Sequence, residues 1–203
     1  MKIVQYYSHL NGFEFLHYHK PRVWQELESI VAGVDAEKCR TKASAESRKE
    51  GRLLYSPIEM NKEFAALFKR AGWSEKRVTN WLAEDTSLLR QTMLLTPDEQ
   101  KAKIESLGLE PLMTYNQTDF VKDRVAVEIQ FGKYAFVAHD LFVKHMSFFI
   151  SNDIDLGIEV VPMKSMERQM SSGVPYYERD LFNLMRQGRG IPAVPIILVG
   201  VAA

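Results

Sequence analysis

Residues 118–131 carry the sequence TDFVKDRVAVEIQF, in which two acidic side chains occupy distinctive places. Asp119 lies at the end of a short apolar run, and Glu128 lies on an alternating strand beyond the charged segment Lys122–Arg124. Because side chains of a strand alternate between its faces, Glu128 and Gln130 point the same way, while the residues beside them point into a core. If the charged segment turns, the two strands form a hairpin that brings Asp119 beside Glu128.

Two carboxylates that converge on one edge of a sheet can bind a hard divalent cation such as Mg²⁺. Many nucleases generate their nucleophile on an ion held in this way. The pattern is short, however, and an exposed hairpin with solvated charges produces it as well. The spacing alone therefore leaves two interpretations open, a metal-dependent nuclease and a plain surface hairpin.

The bulk composition indicates one globular domain over residues 1–203. Its 26 basic and 26 acidic residues cancel, so the net charge gives no sign of a polyanionic partner, although a basic cleft on an acidic surface also sums to zero. A single cysteine, Cys39, excludes an internal disulfide and suits a reducing compartment. Since the chain has no signal-peptide pattern and no apolar run near the ~20 residues of a membrane span, we expect a cytoplasmic protein with no membrane partner.

Residues 1–115 are expected to form a mainly helical part. The first 20 residues indicate a short strand and a loop. Pro21 then begins a helix with one apolar stripe, and Gly33 ends it.

Two further helices are indicated by capping boxes with proline at the first helical position, at Ser56–Glu59 and Thr96–Glu99. The polar segment 35–52 has few large apolar side chains, so we expect a mobile loop there. The segment 73–95 fits neither a helix nor a strand clearly.

Residues 116–203 are expected to form the catalytic sheet core. After the hairpin, the pattern predicts a buried helix, a strand, another helix and a last strand, at residues 138–150, 156–161, 176–187 and 195–201. Short strands separated by helices of about twelve residues predict an α/β fold, in which helices flank a mixed central sheet on both faces.

Long runs of this sequence resemble the type II restriction endonucleases of the BglII and BstYI group, and the BstYI-like members most closely. The resemblance covers essentially the whole chain. It is carried by residues 7–12 (YSHLNG), 115–124 (YNQTDFVKDR), 128–134 (EIQFGKY), 140–146 (DLFVKHM), 170–173 (MSSG) and 186–190 (RQGRG).

This resemblance implies a PD-(D/E)xK nuclease core and Mg²⁺-dependent hydrolysis of double-stranded DNA by a homodimer. A two-fold symmetric site calls for a two-fold symmetric protein. The BstYI-like members imply cleavage of R-GATC-Y that leaves a four-base 5′ GATC overhang, and the BglII-like alternative is one fixed hexanucleotide around GATC. A cognate DNA methyltransferase, physically separate, is the implied cellular partner.

By resemblance, Asp119 and Glu128 hold the metal, and the backbone carbonyl of Ile129 completes the protein's share of its coordination. Gln130 is the third catalytic residue and stands where lysine is common in the wider superfamily. An amide carries no charge and is no base at neutral pH, so it can only orient a water molecule by hydrogen bonding.

The DNA contacts are expected from Lys133, Ser171 and Ser172. A protein that accepts either purine at the outer base pair must donate a hydrogen bond to N7, the acceptor that adenine and guanine share. It must not depend on the group at position six, where the two purines differ. The Lys133 ammonium has donors only, and the Ser172 hydroxyl can rotate to donate or accept. The alternative is a phosphate contact for Lys133 and a loop cap for Ser172.

Two other functions fit the same fold: a DNA-binding protein without turnover, and a structure-selective repair nuclease. The intact carboxylate pair argues against the first, and the length of the resemblance argues against the second. A zinc site at His17 and His19 is disfavoured because no cysteine or carboxylate accompanies them at ligand spacing.

Overall fold

The computed structural model describes residues 1–46 and 50–203. It divides into two compact units, one made of Met1–Glu75 and Thr118–Ala203, the other of Lys76–Gln117. This division differs from the change of pattern near residue 115, because the N-terminal strand belongs to the sheet of the first unit. No helix in the described part of the chain is long and apolar enough to cross a membrane.

The strands of the described residues are β1 (Lys2–His9), β2 (Lys42–Ala43), β3 (Leu53–Leu54), β4 (Ser74–Leu82), β5 (Leu112–Lys122), β6 (Val125–Ile129), β7 (Leu156–Pro162) and β8 (Ile196–Ala202). Six of them form a sheet in the order β1-β8-β7-β6-β5-β4, and β2 pairs with β3. The pairs β6–β7 and β7–β8 are parallel, whereas β1–β8 and β5–β6 are antiparallel. The sheet is therefore mixed, as the alternation of strands and helices predicted.

The helices are α1 (Gly12–His19), α2 (Pro21–Gly33), α3 (Pro57–Arg70), α4 (Thr86–Thr92), α5 (Pro97–Glu105), α6 (Ala135–His139), α7 (His145–Ile150), α8 (Lys164–Glu167) and α9 (Tyr177–Arg186). A π-helical segment, Asp140–Lys144, joins α6 to α7 without a break. A helix was predicted at 138–150, and the observed one begins three residues earlier. The ends predicted for α2, α5 and α9 lie within a few residues of those observed.

Apolar clusters cover both faces of the sheet in the first unit. One face packs against α2 and α3 through side chains such as Leu27 and Phe64, together with Val127 of β6. On the other face, Leu141 and Tyr177 bring the helices α6–α7 and α9 against β8. Helices thus flank the sheet on both faces, and the strands β6, β7 and β8 between them are buried.

Two segments contain more structure than the sequence patterns indicated. The loop expected at residues 1–20 includes the helix α1, whose Leu16 is fully buried. Within the segment 35–52, residues Glu37–Cys39 form a 3-10 turn and β2 pairs with β3. Ala36 and Cys39 are buried in the core, which explains why this part of the segment is ordered. Ser47, Arg48 and Lys49, which also belong to the expected loop, lie outside the described residues.

The second unit resolves the ambiguous segment 73–95 into most of β4 followed by α4. Its small core contains Ala83, Leu88 and Ile104, with Trp81 packed against them. The predicted capping box at Thr96 is present, because the Thr96 hydroxyl accepts from the backbone N–H of Glu99 and the Glu99 carboxylate accepts from that of Thr96.

Between β5 and β6 the chain makes the predicted tight turn. Lys122 pairs with Val125, which leaves Asp123 and Arg124 as a two-residue loop. Both loop residues have positive φ, 48° and 60°, as the type I′ hairpin turn requires. The turn is held from outside, because Lys20 Nζ donates to the Asp123 carbonyl and to the Asp155 carboxylate, and Arg124 also pairs with Asp155.

The contact between α1 and β8 leaves no room for a side chain at Gly12. A Cβ there would lie 2.8 Å from the Ile196 carbonyl oxygen, and a backbone atom cannot rotate away. We expect Gly12→Ala to destabilise the protein by about 1–3 kcal/mol, as overpacking does. Urea unfolding measures this change. The matched control is Gly190→Ala, which meets no atom within 4 Å, and equal stability of the two variants would contradict the expected clash.

Candidate active site

Asp119 and Glu128 meet across the hairpin. Phe120 pairs with Val127, so the next step of the register places Asp119 opposite Glu128, where the Asp119 carboxylate raises the pKa of Glu128. Asp119, Ile129 and Phe120 line one side of an open cleft of 310 Å³. The structure thus brings together the three groups predicted to hold a metal.

Glu128 is buried, with 2% of its surface exposed. Its Oε1 oxygen has no hydrogen-bonding partner among the described residues. Burial and the neighbouring Asp119 raise the pKa of Glu128 to about 8. Loss of hydration also raises the pKa of Asp119, although part of that residue is exposed in the cleft.

Two adjacent carboxylates with raised pKa values, one of them with an oxygen that accepts from no described residue, fit a divalent cation. A hard ion takes oxygen ligands, and its charge favours the ionised form of both acids. The donor set of two carboxylates and a backbone carbonyl matches the ligands that Mg²⁺ accepts while it keeps several waters. The residues present therefore suit the metal that the sequence predicted.

Gln130 lies next to the acid pair and is turned toward the helix. Its Nε2 lies 3.3 Å from Asp140 Oδ2 as a donor, and its Oε1 accepts from the backbone N–H of Gly132. The side chain is half-buried at the edge of the sheet. Both polar ends of the amide are thus fixed by protein groups.

The sequence patterns did not identify two charged residues of the site, Asp140 and Lys144. Lys144 Nζ lies 3.1 Å from Glu128 Oε2 and 2.6 Å from Asp140 Oδ1. Burial alone would lower the pKa of Lys144, but Glu128 and Asp140 raise it above its usual value. The available signal was an Asp–Lys pair four residues apart on an otherwise apolar helix, a spacing that puts both side chains on one face.

Behind the site, His145 and Glu159 form a fully buried pair with Nε2 and Oε2 3.6 Å apart. Burial lowers the pKa of His145 to about 4 and raises that of Glu159 well above its usual value. Gly157 makes room for the imidazole, because a Cβ there would lie 2.4 Å from His145 Nδ1. The charges of Asp140 and Glu128 also raise the pKa of Glu159, so this buried pair adjoins the acidic side chains of the site.

The three residues predicted to contact DNA lie on two neighbouring loops. Lys133 is exposed on the loop after β6, and the next residue, Tyr134, donates its backbone N–H to the Gly173 carbonyl 2.9 Å away. This bond places Lys133 beside the loop that carries Ser171 and Ser172.

A segment near β2 holds that second loop in place. Lys42 Nζ donates to Ser171 Oγ at 2.6 Å, and the backbone N–H of Ser172 donates to a Glu46 carboxylate oxygen at 2.7 Å. Arg40 donates to the side chain of Gln169, just before the two serines. The Ser171 hydroxyl therefore already has a protein partner.

Comparison with known proteins gives two kinds of match. The model of the family described as restriction endonuclease BglII/BglIII matches residues 4–201. Among solved structures, the chain is similar to restriction endonuclease BglII complexed with a DNA 16-mer, with 22% identity and a TM-score of 0.69 over 100% of this chain and 79% of the other. It is also similar to free BglII, with 19% identity and a TM-score of 0.59 over 100% and 80%. No curated protein sequence matches the chain.

The raised pKa of Glu128 predicts a pH-dependent effect of Glu128→Gln. Between the ordinary value of 4.5 and about 8, the folded protein keeps a proton that the unfolded chain releases, so wild-type stability falls as pH rises through this window. The glutamine avoids this cost. In EDTA we expect the variant to be stabilised by on the order of 1–3 kcal/mol at pH 8 and by much less at pH 5.

Urea unfolding at the two pH values measures this difference. The control is Glu110→Gln, which alters an exposed glutamate. A gain from Glu128→Gln that is the same at pH 5 and pH 8 would show that Glu128 carries no ionisation cost in the folded protein.

Proposed function

The chain belongs to the BglII/BglIII restriction endonuclease family, and from this membership and the site we propose a Mg²⁺-dependent enzyme that cleaves palindromic, GATC-centred DNA. It is a type II site-specific deoxyribonuclease. The observation that carries the proposal is the placement of Asp119 opposite Glu128 across the hairpin, beside a cleft that Asp119 and Ile129 line. The buried Oε1 oxygen of Glu128 has no hydrogen-bonding partner among the described residues. We propose that residues 1–203 act as one nuclease domain in the cytoplasm.

In this proposal, the carboxylates of Asp119 and Glu128 and the carbonyl of Ile129 hold Mg²⁺. The ion, when bound, activates water and stabilises the charge that develops on the phosphate. Gln130 does not act as a base, since an amide has no proton acceptor of suitable pKa. Its role is to orient water by hydrogen bonding at the sheet edge, with Asp140 fixing the amide.

We expect Asp119→Asn and Glu128→Gln each to reduce cleavage by several orders of magnitude while specific DNA binding persists. Each change removes a metal ligand but few DNA contacts, and less repulsion with phosphate favours metal-free binding. The test is plasmid digestion with Mg²⁺ beside a gel shift without Mg²⁺, with Glu110→Gln as the control. Turnover at the wild-type rate in either variant would rule out the assigned site.

The same digest separates the proposed function from its alternatives. Discrete fragments with one ligatable end type support a restriction enzyme. A gel shift without any cleavage by the wild type supports a binding protein, and cleavage confined to branched DNA supports a repair nuclease. End sequencing then tests the proposed R^GATCY cleavage, which leaves four-base 5′ GATC overhangs.

The surface around the two loops suits a DNA backbone. A small cavity beside the serine loop is lined by the side chains of Arg40, Arg52 and Arg168, and Lys42 reaches the same loop. The chain as a whole is neutral and Arg40 is paired with Glu37, so Arg52, Arg168 and Lys42 are the cations that place positive charge beside Ser171 and Ser172. Phosphate contacts of this kind fix register, and base contacts nearby supply specificity. The similar BglII structure was solved with a DNA 16-mer.

For the outer base pair, we propose that Lys133 and Ser172 donate to purine N7 and permit R-Y degeneracy, as in the BstYI-like members. Lys133→Ala is then expected to reduce cleavage of A-GATC-T, G-GATC-C and A-GATC-C by roughly 10-fold or more, as the loss of a base contact worth ~1–3 kcal/mol would. Single-turnover rates on the three oligonucleotides and binding to a non-cognate duplex measure the effect.

An equal loss on cognate and non-cognate DNA would make Lys133 a phosphate anchor instead. If the wild type cuts only one hexanucleotide, recognition is not degenerate. The control is Lys38→Ala, which removes an exposed lysine on another segment of the chain.

We further propose that the enzyme is a homodimer, because a palindromic site presents the same groups twice. The helix predicted at 138–150 carries more apolar surface than one core-facing stripe needs, which makes it a candidate for the interface. Its Leu141 and His145, however, are buried within their own subunit. Exposed apolar side chains remain at Val143 and Ile150, and at Phe182 of α9. This surface is the dimer contact we propose, and the separate partner in the cell is a cognate methyltransferase.

The dimer predicts that Phe182→Asp shifts sedimentation toward the monomer at micromolar concentration. A charge buried in an apolar interface has no partner. The control Ile58→Asp changes an equally exposed apolar residue on α3 and should leave the mass unchanged. A wild type that stays monomeric both free and bound to DNA would refute the dimer.

A further inference from the structure

The site brings several acidic side chains together, and one cationic side chain contacts two of them. Asp119, Glu128 and Asp140 together place three carboxylates around the cleft and the helix above it. Among the described residues, Lys144 is the lysine or arginine that forms ion pairs with this group, to Glu128 at 3.1 Å and to Asp140 at 2.6 Å. Only 15% of its side chain is exposed, so water screens these contacts little.

The contact with Lys144 is confined to one oxygen of Glu128. The ammonium lies near Oε2, whereas Oε1 has no partner among the described residues. An anchored oxygen fixes the rotation of the Glu128 carboxylate. Lys144 therefore orients the Glu128 side chain through this one oxygen.

Asp140 connects this ammonium to the third member of the site. Its Oδ1 contacts Lys144, and its Oδ2 accepts from the Gln130 amide at 3.3 Å. The two charged residues lie four apart within the π-helical segment Asp140–Lys144. Local π-helical geometry is frequently found at functional sites, and here it belongs to the turn that carries both residues.

We propose that Lys144 is a positioning residue of the nuclease site, which orients Glu128 and supplies the positive charge that neutral Gln130 does not carry. The proposal rests on the function proposed above. Asp140 contacts both Lys144 and Gln130. The Lys144 ammonium therefore lies next to Glu128 and Gln130, although Lys144 belongs to the helix and not to the hairpin. Loss of that charge leaves Glu128 without its anchor and Asp140 without a counter-ion.

The decisive experiment moves the positive charge from position 144 to position 130. Lys144→Gln is expected to reduce the single-turnover cleavage rate with Mg²⁺ by about 10²–10³-fold, the usual effect of removing one electrostatic contact at a reaction centre. Specific DNA binding without Mg²⁺ should change less than about threefold. Adding Gln130→Lys restores an ammonium within reach of the same Asp140, and the double variant should recover at least about tenfold over Lys144→Gln.

Two outcomes overturn the proposal, provided that circular dichroism shows folded variants. One is wild-type cleavage by Lys144→Gln. The other is a double variant no faster than Lys144→Gln, because a lysine needed only for helix packing is not replaced by one on the sheet. The single variant Gln130→Lys serves as the matched control for the added lysine.

A second measurement tests the contact between Lys144 and Glu128 and does not depend on DNA cleavage. In EDTA, Lys144→Gln should lower the Tm, and this loss should shrink by at least half when Glu128 is also changed to Gln, because the carboxylate that needs the ammonium is gone. Equal losses in both backgrounds would refute the anchoring role. If the wild type cleaves no DNA, the proposed function fails, while this coupling still decides whether Lys144 orients Glu128.

Discussion

The burial of Glu128 beside Asp119 is the constraint around which the first unit is arranged. A carboxylate removed from water is costly unless it has a partner or takes up a proton. Its position on β6, between parallel β7 and antiparallel β5, cannot shift without breaking the sheet. The fold therefore maintains an unfavourable electrostatic arrangement, and the stabilising contacts around it lie outside the acid pair.

Those contacts hold the hairpin at both of its sides. At the turn, Lys20 and Arg124 converge on Asp155. At the end of β5, next to the turn, Lys122 Nζ contacts both carboxylate oxygens of Glu26 and the Ala71 carbonyl, which ties the strand to α2 and to the end of α3. A local error in the hairpin would move Asp119 away from Glu128, so these ion pairs support the site although none of them touches it.

The hairpin and most helices could be predicted from the sequence because their causes are local. Alternation on β6, a charged two-residue turn, and proline after a capping residue at Ser56 each act within a few positions. The helix α1 was missed because its Leu16 packs in the core of the first unit and its Gly12 lies against β8, far away in the chain. No local pattern records such a contact.

The site could be predicted only in part for the same reason. Asp119, Glu128 and Gln130 lie on one hairpin, so the strand period places them. Lys144 and Asp140 reach the site only once the helix α6–α7 is folded over the sheet. Their distance from the carboxylates depends on the packing of Leu141 against the sheet face, which a single sequence does not specify.

The charge distribution reconciles a neutral chain with a polyanionic substrate. The carboxylates of the site would repel phosphate, but Lys144 and the metal that we propose offset them from within. Three exposed cations, Arg52, Arg168 and Lys42, lie by contrast around the serine loop. In this arrangement, the exposed cations attract DNA, whereas Lys144 and the metal act on the cleavage reaction. Because exposed charges are screened by salt and buried ones are not, binding should weaken with ionic strength more than the cleavage step of bound DNA does.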